Sequence, residues 1–251
     1  MSPSPSHRLV VLSGPSCVGK SPLDKALARF YPEIHRRLQP LVLYNSRAPR
    51  PGEVDGVHYH FRPRASIEAL RADDRYVVMD VRGDLQALDL DDLAQLLEKG
   101  DVFFEGNPFV GKSLLSHPRL EGFERLSVFM APLGRSEIEF LKAPERNASL
   151  PDLVTDVMRR KLLRRTRKQK SELALPDLEN IEKRAGSAYR ELRDACHFGQ
   201  VIVNHDGEDS DNWDAFYFPL GDARRALLAF VALLEGREAE DVESWPEDLL
   251  G

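Results

Sequence analysis

Arg8-Leu-Val-Val-Leu-Ser13 runs directly into Gly14-Pro15-Ser16-Cys17-Val18-Gly19-Lys20-Ser21, and this junction decides the fold. The first six residues are a short, β-branched apolar block and read as a buried strand. The next eight complete the pattern G-x-x-x-x-G-K-S. Backbone N–H groups in such a loop line a concavity for the phosphates of a nucleotide, reinforced by the positive end of the following helix. Lys20 is then the cation for the β/γ oxygens, and the Ser21 hydroxyl is a ligand for Mg²⁺. Pro22 to Phe30 supplies the helix, with Leu23, Leu27 and Phe30 on one face. Proline is tolerated there because the first turn has no intrahelical partner for that N–H. Strand, glycine-bearing loop and helix open an α/β unit.

Outward from this unit, strands and helices alternate. Residues 41–44, 57–61, 76–79, 101–105, 126–131 and 200–204 read as strands. Helical spacing appears at 66–71, N-capped by Ser66, and at 88–99, stopped by Gly100. It returns at 136–142, along a long basic stretch at 152–170, and at 179–196 and 220–234. The economical arrangement is an α/β, P-loop NTPase-type fold, a mostly parallel sheet flanked by helices. The predicted organisation is a flexible lead-in at 1–7, one domain over 8–234, and a solvated acidic tail over 235–251.

The 251 residues are 42% apolar and 30% charged, which fits one globular domain and not a disordered chain. No run approaches the roughly 18 apolar residues of a membrane span. The two cysteines, Cys17 and Cys196, are too few to staple a fold of this size, so a reducing cytoplasm is the expected setting. A net charge of −6 argues against a nucleic-acid-coated surface. That charge is unevenly spread. Seven acids against one arginine over 235–251 account for all of it, while eight cations between Arg159 and Lys170 have no acid among them. Eight like charges repel one another, so they call for an anionic ligand.

A second constellation is Ser46-Arg47-Ala-Pro-Arg50-Pro-Gly-Glu53, followed by Gly56, Tyr59 and Phe61. Two guanidinium forks three residues apart, held by proline and glycine turns, suit a phosphate dianion. Tyr59 adds a hydroxyl donor, and Glu53 is placed to orient an arginine.

The phosphate loop, the pattern S-R-x-P-R-x-G-E-x-x-G-x-x-Y-x-F and the late strand Val201-Ile-Val-Asn204 together resemble guanylate kinases. The resemblance implies phosphoryl transfer from ATP to a nucleoside monophosphate, with Mg²⁺. It implies an acceptor-binding insertion over about 41–87 and a helical lid over about 152–184. Arg47, Arg50 and Tyr59 match the residues that grip the acceptor phosphate. Lys161-Leu-Leu-Arg-Arg165 and Ile181-Glu-Lys-Arg184 resemble the lid motifs that carry cations to the ATP phosphates, with lysine in place of the first arginine. Asn204 matches an asparagine lying against the adenine. Glu105 keeps a carboxylate near the phosphate loop for a metal-bound water.

The departures concentrate on reading the base. The guanine-edge positions match Leu43 and Val78, and a second phosphate-gripping tyrosine matches Gln86. The strand that ends D-x-D in the family reads Glu105-Gly106-Asn107 here. Cys17 replaces a loop glycine, either as a tolerated small residue or as a low-pKa, oxidisable thiol at the helix N-terminus. Three readings stay open: a kinase of GMP or dGMP, a kinase of another phosphorylated acceptor, and a non-catalytic binding module of the same fold.

Overall fold

A computed structural model of the chain describes residues 7–49, 52–146, 148–170 and 172–251. Strand β1 (Arg8–Ser13) is the predicted one, and it is buried because it has a strand on either side and helices on both faces. Its residues alternate. Leu9 and Val11 join one core, and Val10 and Leu12 the other. The loop 14–19 leads into α1 (Lys20–Phe30). A short α2 (Pro32–His35) and β2 (Leu38–Pro40) follow.

The chain then leaves this sheet for a smaller one, made of β3 (Tyr44–Asn45), β4 (His60–Phe61), β5 (Tyr76–Val81) and β6 (Asp84–Asp89), with α3 (Arg64–Ala69) between β4 and β5. Its order is β4-β3-β6-β5. It returns through α4 (Leu90–Lys99) to β7 (Asp101–Gly106), α5 (Pro108–Ser116), β8 (Glu124–Ala131) and α6 (Arg135–Lys142). Two long helices, α7 (Leu150–Gln169) and α8 (Leu175–Arg193), precede β9 (Gln200–Val203), α9 (Gly221–Leu234) and β10 (Val242–Glu243).

The main sheet has the order β10-β9-β8-β1-β7-β2 and is parallel except for β10. Helices α1 and α9 pack on one face, and α4, α5, α7 and α8 on the other. Chain continuations from β1 and β7 leave the sheet at the same end, where Ser13 pairs in register with Gly106. Ligands of open parallel sheets bind at such carboxyl ends.

Several predicted elements move. The strand expected at 41–44 is split: Leu41 still donates its N–H to the Phe103 carbonyl of the main sheet, whereas Tyr44 already belongs to the small one. The strand expected at 57–61 shrinks to β4, because only His60 and Phe61 find a partner strand. Helix α3 starts two residues before Ser66, behind Pro63, so Ser66 is not its cap.

The segment 235–251 is not a solvated tail. β10 pairs antiparallel with β9, and Trp245, Leu249 and Leu250 are buried in the core. The expected flexible lead-in falls, except for His7, outside the described residues. Among the described residues no helix is long and apolar enough to cross a membrane.

Candidate active site

The phosphate loop has the backbone its sequence demands. Gly14 and Gly19 have φ of 149° and 109°, and an added Cβ would lie 2.4 Å from the Met130 carbonyl oxygen and 2.4 Å from Asn204 Nδ2, respectively. Glycine is therefore required at both. Helix α1 begins at Lys20 with no side-chain cap, so its first N–H groups stay free for an anion. Lys20 is buried, and its ammonium donates to the carbonyls of Gly14 and Pro15, both at 2.9 Å. Burial lowers its pKa, against the pull of Glu105, Glu208 and Glu191. Ser21 Oγ donates to Glu105 Oε1 at 3.0 Å, and burial raises the pKa of Glu105 against the pull of Lys20.

Ser21 and Glu105 are two hard oxygen donors at the mouth of the loop. Among the described residues no cluster of three or more His, Cys, Asp or Glu is set for a metal. One hydroxyl and one carboxylate, completed by water and phosphate oxygens, suit Mg²⁺, which is seldom caged by protein alone. The donor set fits that ion.

Arg47, expected to grip the acceptor phosphate, is set across the same cleft, which has a volume of about 430 Å³. Arg47 donates from both terminal nitrogens to Glu53, each at 2.6 Å, and stacks over Tyr59 with its guanidinium carbon 5.2 Å from the ring centre. Burial alone would lower its pKa. The Glu53 hydrogen bonds and charge overcome this and raise it. Gln86 and Asn107 also line the cleft, while Arg50 lies outside the described residues.

Strand alternation separates Val78 from the cleft. Val77 and Met79 pack on the main core and Val81 lines the cleft, whereas Val78 packs with Ile67, Leu85 and Ala87 on the other face. Val78, expected at the base of the acceptor, does not line the cleft. Leu43 is buried in the main core.

Of the three cations expected in a lid, Lys161, Arg165 and Arg184, two reach the cleft. Arg184 Nε donates to Ser16 Oγ at 3.0 Å, and Arg165 donates to Glu208 at 2.8 Å. Lys161 does not line this cleft. It bonds the His205 carbonyl and faces Asp209 on the outer side of α7. The basic run is largely matched by acids: Arg159 pairs with Glu182, Arg160 with Asp156, Lys168 with Asp211 and Lys170 with Asp177.

Asn204 is fully buried, and its amide donates to the Val18 carbonyl at 2.8 Å, so it buttresses the loop from behind. Glu208, which sequence reading left in an undifferentiated acidic loop, donates its backbone N–H to the Cys17 carbonyl. Burial would raise the pKa of Glu208, but Arg165 and Lys20 hold it below the usual carboxylate range. Cys17 is not an activated thiol. Burial, with Glu208 nearby, pushes it up to about 12.

A phosphate loop of this form, at the end of the central strand of a parallel sheet, defines a broad class: the chain is a P-loop nucleotide-binding protein. A family model described as guanylate kinase matches residues 6–79. The guanylate kinase of Synechococcus sp. (strain JA-3-3Ab) is 29% identical over 218 residues, 86% of this chain and 85% of that protein. The guanylate kinase of Mycolicibacterium paratuberculosis is 50% identical over 68 residues, 27% of this chain. That alignment spans only 29% of the relative's own length, so the high identity is local. A crystal structure of guanylate kinase from Anaplasma phagocytophilum shares the fold at a TM-score of 0.55 and 15% identity, covering 93% of this chain and 87% of that one. In sequence and in fold the chain is similar to guanylate kinases.

Proposed function

We propose that the chain transfers the γ-phosphoryl group of ATP to the phosphate of a nucleoside monophosphate, with guanylate as the acceptor named by its relatives. One observation carries this reading: an intact phosphate loop and the Arg47–Glu53–Tyr59 cluster open onto one cleft, so two phosphates would meet there. Loop amides and Lys20 hold the donor. Ser21 and Glu105 would hold Mg²⁺, which when bound neutralises charge on the donor phosphates. Arg47, Arg50 and Tyr59 hold the acceptor. Arg165 and Arg184 meet charge on the transferred group, since such catalysis is largely positioning and electrostatics. In this reading residues 41–87 form the acceptor insert, and 152–184 form the lid.

The base is the point where a second reading has support. Leu43 is buried, and the face of β5 turned inward carries Val77, Met79 and Val81. None of these pairs a guanine N–H, and a site that reads a base by hydrogen bonds discriminates strongly. A phosphorylated acceptor other than guanylate is therefore the alternative.

The test is ADP release from Mg·ATP over a panel of nucleoside monophosphates, beside the Lys20→Ala variant. Turnover with GMP at least tenfold above the other acceptors supports the guanylate reading, by the scale of hydrogen-bond discrimination. Preference for another acceptor supports the alternative. No turnover with any of them, despite ATP binding, refutes both.

A further inference from the structure

The cleft is lined by four described guanidinium groups, Arg47, Arg82, Arg165 and Arg184, and their surroundings differ in one respect. The carboxylate partners of Arg47 and Arg165, Glu53 and Glu208, line the cleft themselves. An incoming phosphate meets those carboxylates along with the arginines. Arg82 is backed from behind. Its Nε donates to Glu191 Oε1 at 2.7 Å, and Nη2 contacts the same oxygen. Glu191 is fully buried in α8 and does not line the cleft.

Glu191 also joins three parts of the site. Its Oε1 accepts from Ser187 Oγ at 2.8 Å and from Asn107 Nδ2 at 3.3 Å. Asn107 follows the strand carrying Glu105 and caps α5 through the Phe109 N–H. Arg82 occupies the first position of the β5–β6 turn with φ of 55°, followed by Gly83 at 85°. Two left-handed residues make the tight turn that matches strand twist, yet Asn, Asp or Gly is the usual first residue. A bulky side chain kept in this conformation, at a cleft, points to use of the side chain. Arg82 lines the same cleft as Gly14, Ser16 and Lys20 of the donor loop.

We propose that Arg82 contacts the phosphoryl group in transfer and that Glu191 is its positioning residue, an inference that rests on the kinase reading. In that step an acceptor-phosphate oxygen bonds to the γ-phosphorus while the bond from that phosphorus to the β–γ bridging oxygen breaks, releasing ADP. Arg82 meets the non-bridging oxygens with the part of its guanidinium not held by Glu191, and no carboxylate has to be displaced.

The test uses the full chain and the acceptor turned over fastest by the unmodified protein, comparing Arg82→Ala, Arg82→Lys, Glu191→Gln and the double variant. Loss of one charge-stabilising donor lowers kcat by roughly 100-fold or more, and the KM for ATP should stay within about threefold. Arg82→Lys should recover part of kcat. Glu191→Gln should lower kcat about tenfold or more, and its effect should vanish in an Arg82→Ala background, because it acts through Arg82. A Glu191 that only stabilises the fold would lower the melting temperature and leave kcat of the folded protein unchanged. An active protein whose Arg82→Ala variant keeps kcat within about threefold overturns the role of Arg82 alone. An unmodified protein with no turnover on any acceptor overturns the kinase reading and this one with it.

Discussion

Cys17 sits at the tip of the phosphate loop with φ of 68°, a left-handed conformation that few side chains adopt without cost. Its thiol is fully buried, and burial together with the nearby Glu208 carboxylate pushes it up to about 12. A helix N-terminus ordinarily favours the thiolate, and sequence position alone points that way. Desolvation and a neighbouring anion win, because the loop is clasped by residues 204–208, where Asn204 bonds the Val18 carbonyl and the Glu208 N–H bonds the Cys17 carbonyl. The consequence is an inert thiol. Iodoacetamide at pH 8 should label the half-buried Cys196 and leave Cys17 unlabelled until the protein is denatured, as read by peptide mass spectrometry. Labelling of Cys17 in the folded protein, with loss of ATP binding, would show that the thiol is activated after all.

At the scale of elements, α4 shows how one side chain joins a helix to its neighbours. Asp89 ends β6 and caps α4, its Oδ1 accepting from the N–H groups of Asp91 at 3.1 Å and Asp92 at 3.2 Å. Arg75 grips the same carboxylate with bonds of 2.8 and 2.6 Å. Partial burial would raise the pKa of Asp89, but Arg75 and the two N–H groups lower it. A depressed carboxylate contributes stability above its unfolded value and loses it as pH falls through the folded one. Asp89→Ala should cost about 1–2 kcal/mol at pH 7. Asp89→Asn, which still caps, should cost less. Both differences should shrink below pH 3.8, measured by urea unfolding at each pH.

Asp89 also marks where sequence reading stopped. The helix it caps was legible from its apolar spacing, but β6 just before it was not. Asp84-Leu-Gln-Ala-Leu-Asp89 lacks β-branched residues, and its strand nature comes from pairing with β5 across the two-residue turn. Helix α5 was missed for a similar reason: it starts at a proline, contains Gly111, and is held by packing against β1. In the site, loop-borne chemistry was legible because Gly14, Lys20, Arg47 and Glu53 act through local backbone. Arg82, Glu191 and Glu208 were not, since Arg82 and Glu191 lie 109 residues apart and Glu208 lies 43 residues from Arg165. Lys161 and Arg165 are one helical turn apart, and only the loop packed against α7 decides which of them faces the cleft.

Over the whole molecule the C-terminal segment is the clearest case of charge hiding structure. Its seven acids over 235–251 suggest a solvated end, yet apolar residues between and after them hold it down. Val242 and Glu243 pair with Ile202 and Val201, covering the edge of the main sheet. An uncovered parallel edge is a site for unwanted strand pairing. Trp245 is 4% exposed within the main core and donates to Glu243 Oε2 at 2.6 Å, while Glu243 accepts from the Arg135 N–H that starts α6. Lys142 reaches the Leu249 carbonyl at 2.8 Å, closing the segment onto the end of the same helix. Apart from Glu243 the acids are exposed, while the apolar residues complete a core built mainly by α4, α5, α7 and α8. Removing residues 236–251 should cost more than the ~3 kcal/mol typical of deleting one buried aromatic side chain. For a chain of this size that is a fall in Tm of at least about 6–12 °C by calorimetry. Trp245→Ala alone should account for most of the fall, whereas charge-neutralising changes at Glu238 and Glu240 should leave Tm nearly unchanged. A truncated chain that melts with the full one would show that the segment adds nothing to the stability of the core it packs on.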